Sequence, residues 1–548
     1  MPPEIMTPIE PILEMHDIQG NIFPGFNKDH QSFLGLRITD AAAAKRWVAF
    51  ITPEIATAEE VLRWKELRRS LIARRGREPE DLTAVWINIA FSAGGLKKLV
   101  APEEVDQFED EPFRLGLSAR SLILNDPRAD TDEGSPQNWK VGGSAAATPD
   151  ILLIVAGDDI NQLEAKIDWI KSTLAAIPTA DAEPAPGSGL ALFFEERGDD
   201  LPGELGGHEH FGFKDGISQP GIRGRLPEPP HEFLTPRLVD PQDPAAPFLS
   251  QPGQPLIWPG QFVFGYPSQD DRFPLEPGPE KAASPAWTRN GSLLVFRRLR
   301  QDVAQFWQFM NEKAEELAAS GFSEMTGVAL ASLLVGRWPS GAPVMRAPQT
   351  DDRTLAQVPV NNHFRFAEAS RLVQLIPNSG LPEDHGPQSP ADREGLRCPM
   401  AAHIRKVNPR DLTTENGSST DVLTRRILRR GIPFGPILAD PAQPKNDPVK
   451  GERGLFFLCY QTSILNQFEF LTRNWMNVRN APESDPGGND LIVGQTPPGE
   501  TRRCWIKRRP GAEEFSAEVA AQRNWIIPTG GGYFFAPSIT ALLTTLNA

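Results

Sequence analysis

The run ILLIVAGDDINQLEAKIDWIKSTLAA, residues 151–176, constrains the fold more than any other stretch. Its first seven residues are apolar or small and too few for a buried helix, so they read as a strand covered on both faces. After Asp158-Asp159, the residues Ile160, Leu163, Ile167, Ile170 and Leu174 recur at spacings of three and four, the period of an amphipathic helix. A buried strand followed at once by such a helix demands a sheet with helices packed on it. The segments before and after repeat the grammar. SFLGLRIT (32–39) is a strand and DAAAAKRWVAFI a helix with Asp40 as its N-cap. AVWINIAF (84–91) runs into the short helix SAGGLKKLV, and GLALFFEE (189–196) closes the set. Strand-helix-strand twice over predicts an antiparallel sheet with helices on one face, the ferredoxin-like plan.

The second half has the same order of elements. SLLVFRRL (292–299) precedes DVAQFWQFMNEKAEELA, with Asp302 as a cap. GLFFLCY (454–460) precedes QTSILNQFEFLTRNWMN, where Ile464, Phe468, Leu471 and Trp475 fall on one helical stripe, and GYFFAP (532–537) ends the series. The repeat is one of pattern, without clear residue identity. The expected fold class is α+β, two ferredoxin-like domains at 1–205 and 206–548. The chain has 54 prolines, about twice the usual share of roughly 5%. They gather in the second half, which predicts long ordered insertions at 225–260 and 376–397.

Charge and cysteine usage exclude several functions. A net charge of −15 disfavours nucleic acid, which needs a basic face. Cys398, Cys459 and Cys504 are widely spaced, so neither a disulfide framework nor a cysteine-based zinc site is expected. No apolar run approaches the roughly 20 residues of a membrane helix. The N-terminus has no apolar signal region. The expectation is a cytoplasmic protein without membrane or nucleic-acid partners, export by another route being left open.

Three stretches carry chemistry. HEHFGFKDGISQPGIRG (208–224) sets Asp215 between Gly212 and Gly216, and glycines so placed mark sharply turning backbone or close approach to a large ligand. Its His208 and His210 lack further ligands at metal-binding spacing, which disfavours zinc. CPMAAHIRKVNPRDL (398–412) contains His403, which read alone is a structural hydrogen-bonding residue. RRILRRGIPFG (425–435) is strongly basic.

Taken together, GFKDG resembles the GxxDG signature of the dye-decolorizing peroxidases, a family of haem peroxidases. The segment with His403, Asn408-Pro409-Arg410 and the Arg-Arg-Gly of RRILRRGIPFG resembles that family's iron-ligating region. DIQGNIFPGFNKDHQSFLGLRI (17–38) and GLFFLCYQTSILNQFEFLTRNW resemble its first strand and late strand-helix unit. The likeness covers about residues 16–540, and the length and insertions match the larger branch of the family.

The resemblance implies one haem b per chain, with His403 as axial ligand of the iron. It implies Asp215 as distal carboxylate and Arg429 as distal arginine, with Arg425, Arg426 and Arg430 as neighbouring candidates in the register. Gly216, Ile217 and Ser218 would lie against the haem face, Asn408, Pro409 and Arg410 at its edge, and Arg410 suits a propionate. Glu469 would accept from the other ring nitrogen of His403, or else be a half-exposed helix residue. Leu455 and Phe457 would line the distal pocket, or simply pack in the core. The implied activity is reduction of hydrogen peroxide with oxidation of dyes and small phenolic compounds through a ferryl intermediate, by a monomer or homodimer. Electron transfer through a surface Trp or Tyr is implied too, and no single one of the 12 Trp stands out.

The residue types suit that chemistry. A carboxylate can carry a proton between the two peroxide oxygens, and a fixed guanidinium can stabilise the charge on the departing one. Asp is a weaker base than His, so acid conditions are favoured. Two other readings compete. A haem-handling protein would need His403 but neither Asp215 nor Arg429. A ferredoxin-like hydrolase using Asp215 and His403 has no nucleophile motif to support it.

Overall fold

The computed structural model describes residues 9–77, 79, 82–178, 187–228, 232–358, 360–377, 379–380, 388–438, 451–483, 487–495, 499–508 and 515–547. In the first half, β1 (His30–Ile38), β2 (Val85–Phe91), β3 (Ile151–Gly157) and β4 (Leu190–Asp199) pair antiparallel in the order β4-β1-β3-β2. In the second half, β5 (Ser292–Gln301), β6 (Leu428–Arg429), β7 (Ile432–Phe434), β8 (Gly454–Gln461) and β9 (Ile526–Ala536) pair in the order β9-β5-β8-β6, with β7 also on β8. If β6 and β7 count as one strand broken at Arg430-Gly431, both halves share one topology: fourth, first, third, second. The pattern repeat is therefore real in the fold. The halves are not separate sheets, however, because Phe535 of β9 pairs with Phe91 of β2 and makes a single nine-stranded sheet among the described residues.

Helices α1 (Ala41–Ile51), α2 (Ala93–Leu99) and α3 (Ile160–Ala175) begin where expected. Asp40 accepts from the Ala43 N–H, Ser92 from Gly95 and Asp159 from Gln162, each satisfying a donor left open by the first turn. Leu163, Ile167 and Ile170 of α3 are buried, and every residue of β3 is buried. Alternation along the strands explains this. Ile151, Leu153 and Val155 join the helix-side core, whereas Leu152 and Ile154 meet Phe296, Phe456 and Phe534 on the other face.

Helix α4 (Val303–Ala319) starts at the expected cap, Asp302. The stripe Ile464, Phe468, Leu471 and Trp475 is buried as predicted, but the helix carrying it is not regular. A short turn at Phe468–Phe470 leads into π-helix over Leu471–Met476, because the Gln467 side chain is tied to the carbonyls of Gln261 and Arg426 outside any helical ladder. The insertion at 225–260 contains strands Leu249–Gln251 and Gln254–Ile257, so it is more than loop. Within the insertions, residues 229–231, 378 and 381–387 lie outside the described residues. Among the described residues no helix is long and apolar enough to cross a membrane.

Candidate active site

The loop after Leu205 is pinned by aromatic side chains. Phe211 stacks on Phe306 of α4 with ring centroids 4.1 Å apart, and Phe213 lies parallel to Trp307 at 6.5 Å. Gly212 and Gly216 have φ of 92° and 72°, the left-handed region where a side chain is strained. A Cβ at either would meet nothing within 4 Å, so backbone shape rather than crowding requires glycine there. The two turns present Asp215 to Arg429, whose Nη1 donates to Asp215 Oδ1 at 2.7 Å while Nη2 donates to the Ser218 carbonyl at 3.2 Å. Gln219 holds Arg429 in turn: its Nε2 donates to the Arg429 carbonyl and its Oε1 accepts from the Arg429 N–H.

Of the basic run, Arg429 is the arginine that meets Asp215 among the described residues. Arg430 points away, to the carbonyls of Asn21 and Ile22, and Arg425 pairs with Asp421 at 3.0 Å. Burial pushes the Asp215 carboxyl up, but the Arg429 charge and the Gly216 N–H outweigh it and hold the group below the usual carboxylate range.

Across a cavity of about 290 Å³ lies His403, the first residue of α5 (His403–Val407). Its Nδ1 is 2.7 Å from Asp490 Oδ2, which leaves Nε2 without a partner among the described residues. Asp490 is fully buried, and its Oδ1 accepts from the N–H groups of Ile492 and Val493. Burial pushes this carboxyl up, and His403 and the N–H donors bring it below its ordinary value.

The expected acceptor, Glu469, is not the partner of His403. Glu469 is wholly buried on the other side of Phe468, where Arg120 donates to it twice, at 3.0 and 2.6 Å, and the Tyr533 hydroxyl once, at 3.1 Å. A glutamate in the core does need a partner. Here a guanidinium from the first half meets the need, not the imidazole.

Gly216, Ile217, Ser218, Leu455, Phe457, Asn408 and Arg410 all line the cavity, and Pro409 does not, being buried behind it. His208 and His210 are tied to the Gly206 and Phe434 carbonyls, so they form no metal pair. Among the described residues no three His, Cys, Asp or Glu side chains converge on a metal position. A metal at His403 would need its remaining ligands from a cofactor.

One end of the cavity is unexpectedly cationic. Arg410, at φ 57°, lies 3.7 Å from the Phe364 ring centroid and donates to the Asn362 and Phe364 carbonyls. Arg337 donates to the Gly341 and Asn361 carbonyls and to Asn362 Oδ1, and the Arg426 guanidinium has no hydrogen-bond partner among the described residues. None of the three has a carboxylate partner among the described residues. Burial, with repulsion from Arg429, pushes Arg337 down to about 9 and Arg426 to about 10, and burial with repulsion from Arg337 and Arg426 pushes Arg410 well down. On a chain of net charge −15, three uncompensated guanidiniums beside an apolar cavity call for an acidic ligand. A flat apolar group bearing carboxylates and a metal with one open axial position, such as haem, fits these donors.

Sequence reasoning missed Asp490, Arg337 and the carboxyl of Glu209 on the cavity wall. Asn489-Asp490 ahead of the apolar Leu-Ile-Val was the available signal for the first, since Asp there readily accepts from N–H groups two and three residues on.

The chain resembles known proteins over nearly its whole length. Residues 17–180 match the family described as DyP dimeric alpha+beta barrel domain, and 279–485 that described as Dyp-type peroxidase, C-terminal. Dye-decolorizing peroxidase msp1 of Mycetinis scorodonius is 30% identical over 550 residues, covering 98% of this chain and 88% of the relative. Dye-decolorizing peroxidase AauDyP1 of Auricularia auricula-judae is 29% identical over 549 residues, covering 98% and 87%. The structure of an ancestral D-type dye decolorizing peroxidase superposes with a TM-score of 0.71 at 32% identity, over 98% of this chain and 100% of that one. A dye-decolorizing peroxidase in complex with 2,6-dimethoxyphenol does so with 0.67 at 28%, again over 98% and 100%.

Proposed function

Since the chain belongs to the dye-decolorizing peroxidase family and is a peroxidase, we propose that it uses one haem b, held by His403, to reduce hydrogen peroxide and oxidise dyes and small phenolic compounds. The observation carrying this reading is the pair of opposed contacts, Arg429–Asp215 on one wall and His403–Asp490 on the other. When bound, the haem supplies the redox-active iron at which peroxide is reduced and aromatic donors are oxidised.

Asp490 holds the Nδ1 proton of His403, which fixes the tautomer and keeps the Nε2 lone pair free as a metal ligand. Arg337, Arg410 and Arg426 would receive the haem carboxylates, and that neutralisation supports their placement without other partners. Ile217, Leu455 and Phe457 keep water from the walls. Oδ1 of Asp215 is engaged by Arg429 and Gly216, so Oδ2 is the oxygen that takes a proton from one peroxide oxygen and returns it to the other. Arg429 stabilises the negative charge on the oxygen that leaves as water. Phenolic reductants are carried over from the relative solved with 2,6-dimethoxyphenol.

We take residues 206–548 as the part that chiefly holds the haem, since the first half contributes only Leu124 and Asp126 to the cavity wall. A haem-handling protein would have no use for a guanidinium fixed on a carboxylate opposite the ligand. The test is stoichiometric haem titration of the full chain and of His403→Ala. One haem per chain in the first, with axial ligation lost in the second, is expected. Unchanged ligation in His403→Ala would refute the assignment.

A further inference from the structure

Of the two cavity carboxyls with no role so far, Asp126 is paired with Arg297 and Glu209 is not paired with any cation among the described residues. It stands six residues before Asp215, yet its surroundings are opposite. Oε2 accepts from the Phe211 N–H at 2.9 Å and from the Gln301 amide, and Oε1 from the Phe213 N–H at 3.0 Å. Among the described residues no cation pairs with it. The charged group facing it is Asp215, which repels a second negative charge. Strand β5 presents neutral Gln301 to it, whose Oε1 is buried with no partner, and α4 meets this loop with the rings of Phe306 and Trp307. His208 and His210 turn to backbone carbonyls, Arg297 is engaged by Asp126 at 2.9 Å, and Arg300 by Glu133 at 2.6 Å.

We propose that Glu209 is a second proton-exchanging carboxyl of this cavity, kept as the neutral acid under conditions in which Asp215 is kept ionised. Two carboxyls on one wall with environments that separate them divide the work of acid and base. Burial pushes Glu209 up to about 7 against the lowering effect of its N–H donors, whereas Arg429 holds Asp215 down. Reduction of one hydrogen peroxide to two waters consumes two electrons and two protons. Asp215 only moves a proton within the peroxide. The electrons come from the aromatic donors of the proposed activity, and Glu209 would release a proton into the cavity and recover one from solvent. Gln301, with its unpartnered oxygen, is the neighbour able to rotate its amide and accept from the protonated form.

This inference rests on Asp215 being the ionised base, so its test is read without peroxide or reductant. Infrared difference spectra of the full-length, haem-loaded protein across about pH 4 to 9 would follow the carbonyl stretch of protonated carboxyls. Other buried acids such as Asp126 contribute equally to wild type and variant, so wild type minus Glu209→Gln is the diagnostic spectrum. A band titrating near pH 7, lost in Glu209→Gln and kept in Asp215→Asn, is expected. A flat difference spectrum overturns the proposal. Gln301→Ala provides the check should Glu209→Gln fold poorly. Gln301→Ala removes both the donor to the ionised form and the acceptor of the protonated one, so the titration should move, and an unmoved titration also overturns the proposal. In turnover, Glu209→Gln should slow the donor-oxidation phase by about 100-fold, the lower end of the range for one positioned acid or base, and leave the initial peroxide reaction within about twofold. Failure of peroxidase activity in wild type would refute the role of Asp215 and leave the infrared result standing.

Discussion

His403 Nδ1 lies 2.7 Å from Asp490 Oδ2, and among the described residues Asp490 has no other side-chain hydrogen-bond partner. An acceptor so placed strengthens the ring as a metal ligand. Asp490→Asn is therefore expected to weaken haem binding or activity by about 10- to 100-fold, the usual cost of losing such a partner. Haem titration of the variant measures this, and Glu469→Gln should leave ligation unchanged.

Glu469 has a different task. It neutralises Arg120, and both side chains are almost wholly buried, at 0% and 7% exposure. Glu469→Gln leaves the buried Arg120 guanidinium with only the long 3.7 Å contact to the exposed Glu111 carboxylate and should cost up to about 3–5 kcal/mol of stability. Denaturant unfolding of the two variants separates the roles, Glu469→Gln losing stability and Asp490→Asn ligand strength.

The acid limit of activity depends on Arg429. Asp215 acts as a base only when ionised, and its folded value lies below the ordinary 3.8, so activity should persist as pH falls to that value and vanish beneath it. In Arg429→Ala burial is no longer opposed by the guanidinium, and the acid limb should move to higher pH. The pH profile of the peroxide reaction checks the direction of the shift.

Arg426 has no hydrogen-bond or ion-pair partner among the described residues, and burial lowers its guanidinium to about 10. Arg426→Leu should leave the haem-free chain at least as stable, since an uncompensated buried cation is removed. Haem affinity should fall by about tenfold, the loss of one charge-assisted contact of roughly 1.5–3 kcal/mol. Thermal unfolding without haem and haem titration measure the two effects in opposite directions.

Much of the fold was legible because it rests on local periodicity. β3 with α3, the caps at Asp40, Asp159 and Asp302, and the parallel grammar of the halves all follow from spacing and capping chemistry. The merging of both halves through Phe91 and Phe535 was not legible, since one pair of hydrogen-bonded residues leaves no periodic mark. The same holds for the π-helical turns after Phe470, which depend on the distant Gln261 carbonyl. In the site, Asp215 stood out through its flanking glycines, and Arg429 was singled out among four arginines by the family pattern. Asp490 takes the place expected of Glu469 because a buried acid accepts from imidazole or guanidinium alike, and only the tertiary structure determines which it meets. Arg337 and Glu209 gave no signal, as each looks like an ordinary surface charge until the chain closes around the cavity.

The central claim is that Asp215 carries the peroxide proton while Arg429 holds it in place. The most direct measurement is the absorption spectrum of the haem-loaded protein before and after one equivalent of hydrogen peroxide, for wild type and Asp215→Asn together. A rapid spectral change in wild type, slowed by at least about 100-fold in the variant as for the loss of a general base, is the predicted result. Equal rates in the two proteins would contradict it and leave the proton to Arg429 or to water.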